Sequence, residues 1–179
     1  MKKIIVFAFL ILSTISFTSC SDDDNTTKEN YANLNEENYS LKTGLYYSDT
    51  NNDGTYESLI IIHSDGITYD EVNDEFSGQG SLAVIEIDPH VLEDFSGNYT
   101  NVDNNVGIVF YPFYDFNNTG NGKAPTPEYY ELTTFSLSIT KNGETTTINV
   151  SGEATNQDTA SVLPFEMYYN GNLTFSLID

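Results

Sequence analysis

The fold class is read from Phe135-Ser136-Leu137-Ser138-Ile139-Thr140-Lys141-Asn142-Gly143-Glu144-Thr145-Thr146-Thr147-Ile148-Asn149-Val150. From Phe135 to Thr140, apolar and polar residues alternate strictly. Successive side chains of a strand point to opposite faces, so this pattern marks a strand with one face in a core. Asn142-Gly143 then supplies the residue pair that tolerates the positive φ angles of a tight hairpin turn. On the return, Thr146, Ile148 and Val150 share one face while Thr145, Thr147 and Asn149 take the other. The stretch predicts an antiparallel hairpin.

The C-terminus carries a similar pattern. Phe165, Met167 and Tyr169 share a face, Asn170-Gly171 reads as a turn, and Leu173, Phe175 and Leu177 alternate with Thr174 and Ser176. A second hairpin is predicted there. In the N-terminal half, strands are predicted over Gly44–Asp49, Thr55–His63, Ile67–Tyr69, Ser81–Ile87 and Val106–Phe113. Leu59-Ile60-Ile61-Ile62 is apolar on both faces and reads as a central strand. Pro89–Phe95 reads as one helical turn capped by Asp88. About nine short strands predict an all-β fold, an antiparallel β-sandwich, with a closed lipocalin-like β-barrel as the alternative.

Composition agrees with strands. The 179 residues include 13 Tyr and 11 Phe but no Trp, and Thr, Ser and Asn are common. There are 27 acidic residues against 6 Lys, a net charge of −21. Such a surface repels nucleic acid and anionic headgroups, and it suits divalent cations. Cys20 is the single cysteine, so the chain forms no internal disulfide and no cysteine-based metal site.

The N-terminus explains that cysteine. Met1-Lys2-Lys3 is a short basic region, and Ile4 to Phe17 is apolar apart from Ser13, Thr14 and Ser16. The run is too short for a spanning helix and reads as an export signal over residues 1–19. Phe17-Thr18-Ser19-Cys20 resembles a bacterial lipobox, with Ser19 at the small position and Phe17 where Leu is usual. The resemblance implies that Cys20 receives the lipid and becomes the new N-terminus. Loss of Lys2 and Lys3 then leaves four Lys against the same 27 acids, a net of −23. Ser21-Asp22-Asp23-Asp24 is similar to the acidic export tag of surface-exposed lipoproteins of the Bacteroidetes group. That implies an outer-membrane, lipid-anchored, cell-surface location. Residues 20–40 are polar and acidic and read as a flexible tether, with a single β-sandwich domain over 41–179. The layout of the folded region also resembles small β-sandwich lipoproteins of that group, many without assigned activity.

Asp49-Thr50-Asn51-Asn52-Asp53-Gly54-Thr55-Tyr56-Glu57 is the best chemical motif. Asp49, Asn51 and Asp53 alternate around a tight loop, Thr55 can offer a carbonyl and Glu57 a carboxylate, which is a calcium-like set of hard oxygen donors. Ile60 stands where an EF-hand needs an acid. The motif is similar to the shorter calcium loops between strands of integrin-type propeller repeats. The same residues also make a plain turn without metal. His63 and His90 lack visible partners for zinc or general-base work. Tyr46-Tyr47, Tyr111 with Tyr114, Tyr129-Tyr130 and Tyr168-Tyr169 recur as neighbours. One of each adjacent pair belongs to the core, and exposed partners offer rings to a sugar. No nucleophile elbow, phosphate loop or dinucleotide fingerprint is present.

The expectation is a lipid-anchored, non-enzymatic binding or interaction module. It meets the membrane through its N-terminal lipid, takes a glycan or protein partner and binds no nucleic acid. The alternative is a carbohydrate-binding accessory lipoprotein of a glycan-uptake system.

Overall fold

The computed structural model describes residues 28–90, 95–102, 105–117 and 128–175. Eleven strands run in chain order: β1 Tyr31–Leu34, β2 Glu37–Ser40, β3 Thr43–Thr50, β4 Tyr56–His63, β5 Ile67–Asp70, β6 Glu75–His90, β7 Gly97–Thr100, β8 Val106–Asp115, β9 Tyr130–Asn142, β10 Thr145–Asn156 and β11 Val162–Phe175. Seven of them close a mixed barrel in the order β3-β4-β6-β8-β9-β10-β11, with β11 returning to β3. The other four attach at its margins. β1 and β2 hang on the first part of β11, β5 extends β6, and β7 lies on β9.

The predicted sandwich is therefore replaced by its alternative, a closed barrel, and the C-terminal residues are the reason. The expected turn at Asn170-Gly171 does not form. β11 runs straight through these residues, which pair with Thr147 and Thr146 of β10. The strand then leaves β1 and pairs in parallel with β3, Leu173 with Gly44 and Phe175 with Tyr46. A hairpin there would leave two open edges, whereas the continuous strand removes them.

Glycine serves close approach at this seam. A Cβ on Gly171 would lie 2.7 Å from the Tyr169 hydroxyl, and one on Gly44 would lie 2.8 Å from it and also strike Leu173. The fully buried Tyr169 ring sits between the two glycines, its hydroxyl donating to the Asn172 carbonyl at 2.8 Å. Burial pushes that phenol above its ordinary value of 10.0.

The hairpin of β9 and β10 forms as expected. Asn142 pairs with Thr145 around Gly143-Glu144, and Gly143 takes a φ of +62°. Phe135, Leu137 and Ile139 of β9 and Thr146, Ile148 and Val150 of β10 all point into the barrel and are buried. Ile60, Ile62, Ala83, Ile85, Ile87, Ile108, Phe110, Phe165 and Met167 complete the packing. The interior is filled with side chains, unlike the open cup of a lipocalin.

The predicted tether ends earlier than residue 40. Tyr31–Leu34 and Glu37–Ser40 form a hairpin joined by Asn35-Glu36, both with positive φ (51° and 71°), as a tight two-residue turn requires. Ala32 and Leu34 are buried in the main core, and Tyr39 packs edge-on against Phe110 at 5.3 Å. Ala32 and Leu34 at period two on β1, with Tyr39 on β2, are enough to order a polar-looking segment once β11 offers an edge. Asp88 and Pro89 continue β6 instead of opening a helical turn, and residues 91–94 of that expectation lie outside the described residues.

Candidate functional site

β4 shows why this barrel has a second face of interest. Ile60 and Ile62 point inward, but Leu59 and Ile61 point outward with equal apolar content. Leu45, Ile61, Ile67 and Leu82 form a small buried cluster on the outside of the barrel over β3, β4, β5 and β6. Aromatic rings cover this cluster and remain half-exposed themselves.

Those rings form a continuous row: Tyr129, Tyr111, Tyr114, Phe116, Phe76 and Tyr69. Successive centroids lie 5.7, 5.1, 4.4, 5.1 and 4.9 Å apart. A β-bulge assembles the middle of the row. Tyr114 pairs with Gly80 and Tyr111 with Leu82, so Pro112 and Phe113 oppose Ser81 alone. Ser81 Oγ donates to the Pro112 carbonyl at 3.0 Å and holds the bulge. In a regular strand Tyr111 and Tyr114 would face opposite sides. The extra residue turns both outward. At the far end, Tyr69 and Phe76 are cross-strand partners in the β5–β6 hairpin, and the Tyr69 hydroxyl donates to Asp74 at 2.6 Å.

The phenols of Tyr111, Tyr114 and Tyr129 make no hydrogen bond among the described residues and lie beside one another. Burial, with the neighbouring Tyr114 and Tyr129, pushes the Tyr111 hydroxyl above 10.0. Beside Phe76, His63 is almost wholly buried, with Nδ1 donating to the Ser64 carbonyl at 2.9 Å and no partner at Nε2. As expected for neighbouring tyrosines, Tyr130 and Tyr169 are core while Tyr129 and Tyr168 face outward. Tyr69, Phe76 and Phe116 were not singled out in the sequence. The signal available was Pro112, because a proline within a strand marks a bulge or an edge.

The loop joining β3 to β4 holds the predicted metal ligands. Asp49 and Glu57 face each other in register across β3 and β4. Asp53 accepts from the Thr55 hydroxyl at 2.6 Å and the Thr55 amide at 3.0 Å. These bonds hold its carboxyl below the ordinary 3.8. The Asn51 amide donates to Thr55 Oγ1 and to Asp88 Oδ1, each at 3.1 Å, and Gly54 turns the chain with a φ of +84°. The loop is thus closed by its own hydrogen bonds. Among the described residues, no three His, Cys, Asp or Glu side chains gather as a metal-ligand group. Cys20 and the tag Ser21, Asp22, Asp23 and Asp24 lie outside the described residues.

One end of the barrel forms a cleft of about 380 Å³ lined by Tyr46, Phe95, Lys141, Glu144 and Thr146 among others. Lys141 Nζ lies 5.9 Å from the Tyr46 centroid and 5.8 Å from that of Phe95, over both ring faces. Comparisons with protein-family models, curated proteins and solved structures found no match for the chain.

Proposed function

We propose that this protein is a lipid-anchored, cell-surface binding module and that its contact surface is the aromatic row outside the barrel. The observation that carries the reading is the row itself, six rings in unbroken contact and only partly buried, on the outside of a barrel with a packed apolar core. Buried apolar side chains from β4, β6, β8, β9, β10 and β11 pack together inside the barrel, and this favours recognition at the outer surface. Exposed, rigid aromatic side chains over an apolar base are the usual anchors of a binding surface, because they give large contact area with few rotamers to freeze. The lipobox at Cys20 and the acids after it support the anchor and the surface location. Stable attachment takes more than one acyl chain, which lipobox processing supplies.

Two experiments test the reading. Cys20→Ser should release the protein from the membrane fraction, and retention would defeat the anchor. Tyr111→Ala combined with Phe116→Ala should abolish binding of purified mature protein to its bacterial surface or to immobilised candidate ligands. The circular dichroism spectrum should stay that of the parent. A folded double variant that binds as the parent does would defeat the surface.

A further inference from the structure

We infer that the aromatic row receives a cationic polypeptide segment, one that alternates Lys or Arg with apolar residues; this rests on the row being the contact surface. The first ground is charge. Asp49, Glu57, Glu86 and Glu131 lie on the outward side of their strands at one margin of the apolar face. Leu59 is the register partner of Glu86, and Val109 of Glu131. Asp115 and Asp74 lie at the other margin, beside Phe116 and Tyr69. The three described lysines are committed: Lys28 over the Tyr31 and Tyr168 rings, Lys42 to Asp65 at 3.5 Å, and Lys141 over Tyr46 and Phe95. The surface is an apolar aromatic centre with an acidic rim, which complements a partner bearing positive charge around apolar anchors.

The second ground is ring orientation. Tyr111 and Tyr114 meet at 88° and Tyr114 and Phe116 at 47°. Only Phe76 and Phe116 approach coplanarity, at 19°. Tilted rings do not make the flat platform on which a pyranose lies. They do present ring faces and phenol oxygens in several directions, which suits guanidinium and ammonium groups. An extended segment advances about 3.3 Å per residue and sends alternate side chains to one side, so same-side residues recur about every 6.6 Å and can each meet a different part of the row.

The test uses the full mature protein in detergent and a short synthetic peptide alternating Lys and Leu, with a Glu-Leu peptide of equal length as control. The Lys-Leu peptide should bind, and its affinity should fall at least tenfold in Tyr111→Ala. Affinity should fall several-fold, with a shallower salt dependence, in Glu86→Gln combined with Glu131→Gln. Glu144→Gln combined with Glu153→Gln removes the same charge away from the row and should have little effect. Equal loss in the two charge pairs would show general attraction by an acidic protein and overturn the inference. Equal binding of the Glu-Leu peptide would overturn it too. A neutral glycan that binds in a Tyr111-dependent way, with the Lys-Leu peptide failing, would overturn the cationic partner and leave the contact surface standing. Failure of Tyr111→Ala to weaken any ligand would remove the surface as well.

Discussion

Gly171→Ala tests the seam that turns a sheet into a barrel. Gly171 carries no positive φ, so alanine brings no backbone strain there. Its Cβ would lie 2.7 Å from the Tyr169 hydroxyl and 3.0 Å from Cζ, well inside normal contact. The ring has no way to retreat, because a Cβ at Gly44 would be as close on the other side, 2.8 Å from the same hydroxyl. Forcing one methyl into a filled core costs about 1–3 kcal/mol. Replacing a strand glycine also recovers about 0.4–1 kcal/mol by restricting the unfolded chain. The midpoints of the two ranges leave a net loss of about 1.3 kcal/mol, a fall in Tm of roughly 3–5 °C for a chain of this size. Tyr169→Phe alone loses the hydrogen bond to the Asn172 carbonyl, at about 1 kcal/mol. Together the two substitutions should cost less than their sum by about 0.5–1.5 kcal/mol, because the missing hydroxyl vacates the space that the methyl needs. Gly143→Ala is the control. Its strain comes from φ +62°, nothing lies within 4 Å of its Cβ, and it should add independently to Tyr169→Phe. Urea unfolding of the four-member cycle measures these terms. A neutral or stabilising Gly171→Ala, or strict additivity with Tyr169→Phe, would refute the packing of Tyr169 between two glycines.

Leu34→Ala should cost about 2–4 kcal/mol in urea unfolding, since Leu34 is buried in the main core; a loose tether would lose nothing. Burial and the hydrogen bond to Glu37 push the Tyr39 phenol up to about 12, and burial also raises Tyr111, Tyr130 and Tyr169. The native state therefore keeps protons that the unfolded chain releases above pH 10, so stability is full below that value and falls as pH rises toward 12. Tyr39→Phe should flatten this alkaline loss, and an unchanged profile would refute the assignment. Closed on its own hydrogen bonds, the β3–β4 loop is expected to leave the melting temperature equal in EDTA and in excess calcium. A rise of several degrees with calcium, abolished by Asp53→Ala, would instead establish the ion.

The strands were legible wherever period two ran long enough to show one buried face, as in Phe135–Thr140 and Thr145–Val150. The C-terminal error has a specific cause. Asn-Gly favours a turn locally, and at Asn170-Gly171 the extended path is imposed by partners far away in sequence, Thr146 and Thr147 on one side and Gly44 on the other. Parallel closure between β11 and β3 leaves no mark in either segment alone. The β1–β2 hairpin was hidden for a similar reason. Its composition is that of a solvated linker, and its order depends on an edge offered by β11 more than 120 residues later. The acidic β3–β4 loop was legible as a connection between two strands, with a calcium loop and a plain turn both open, and its side-chain commitments, such as Thr55 on Asp53, emerge once the hairpin exists. Tyr111 and Tyr114 were visible as neighbours. Their shared outward face depends on the bulge at Pro112, and the row continues through Phe116, Phe76 and Tyr69 because β5 and β6 fold beside them.

On the proposed function the row has two roles that substitutions can separate. Because Leu59 and Ile61 of β4 are apolar on the outward face, the barrel needs a cover there, and the rings supply it. A cover with no other purpose would bury its own rings or carry polar residues above them. This one leaves six rings partly accessible, with three phenols that make no hydrogen bond among the described residues. Ile61, beneath the rings, is a stability position, and Ile61→Ala should cost about 2–4 kcal/mol while the folded fraction still binds. Tyr111, at the surface of the row, should show the reverse, with binding lost and unfolding shifted by less than about 1.5 kcal/mol. If Tyr111→Ala unfolds the protein as readily as Ile61→Ala, the rings are core and nothing more, and the contact surface must be sought elsewhere on the barrel.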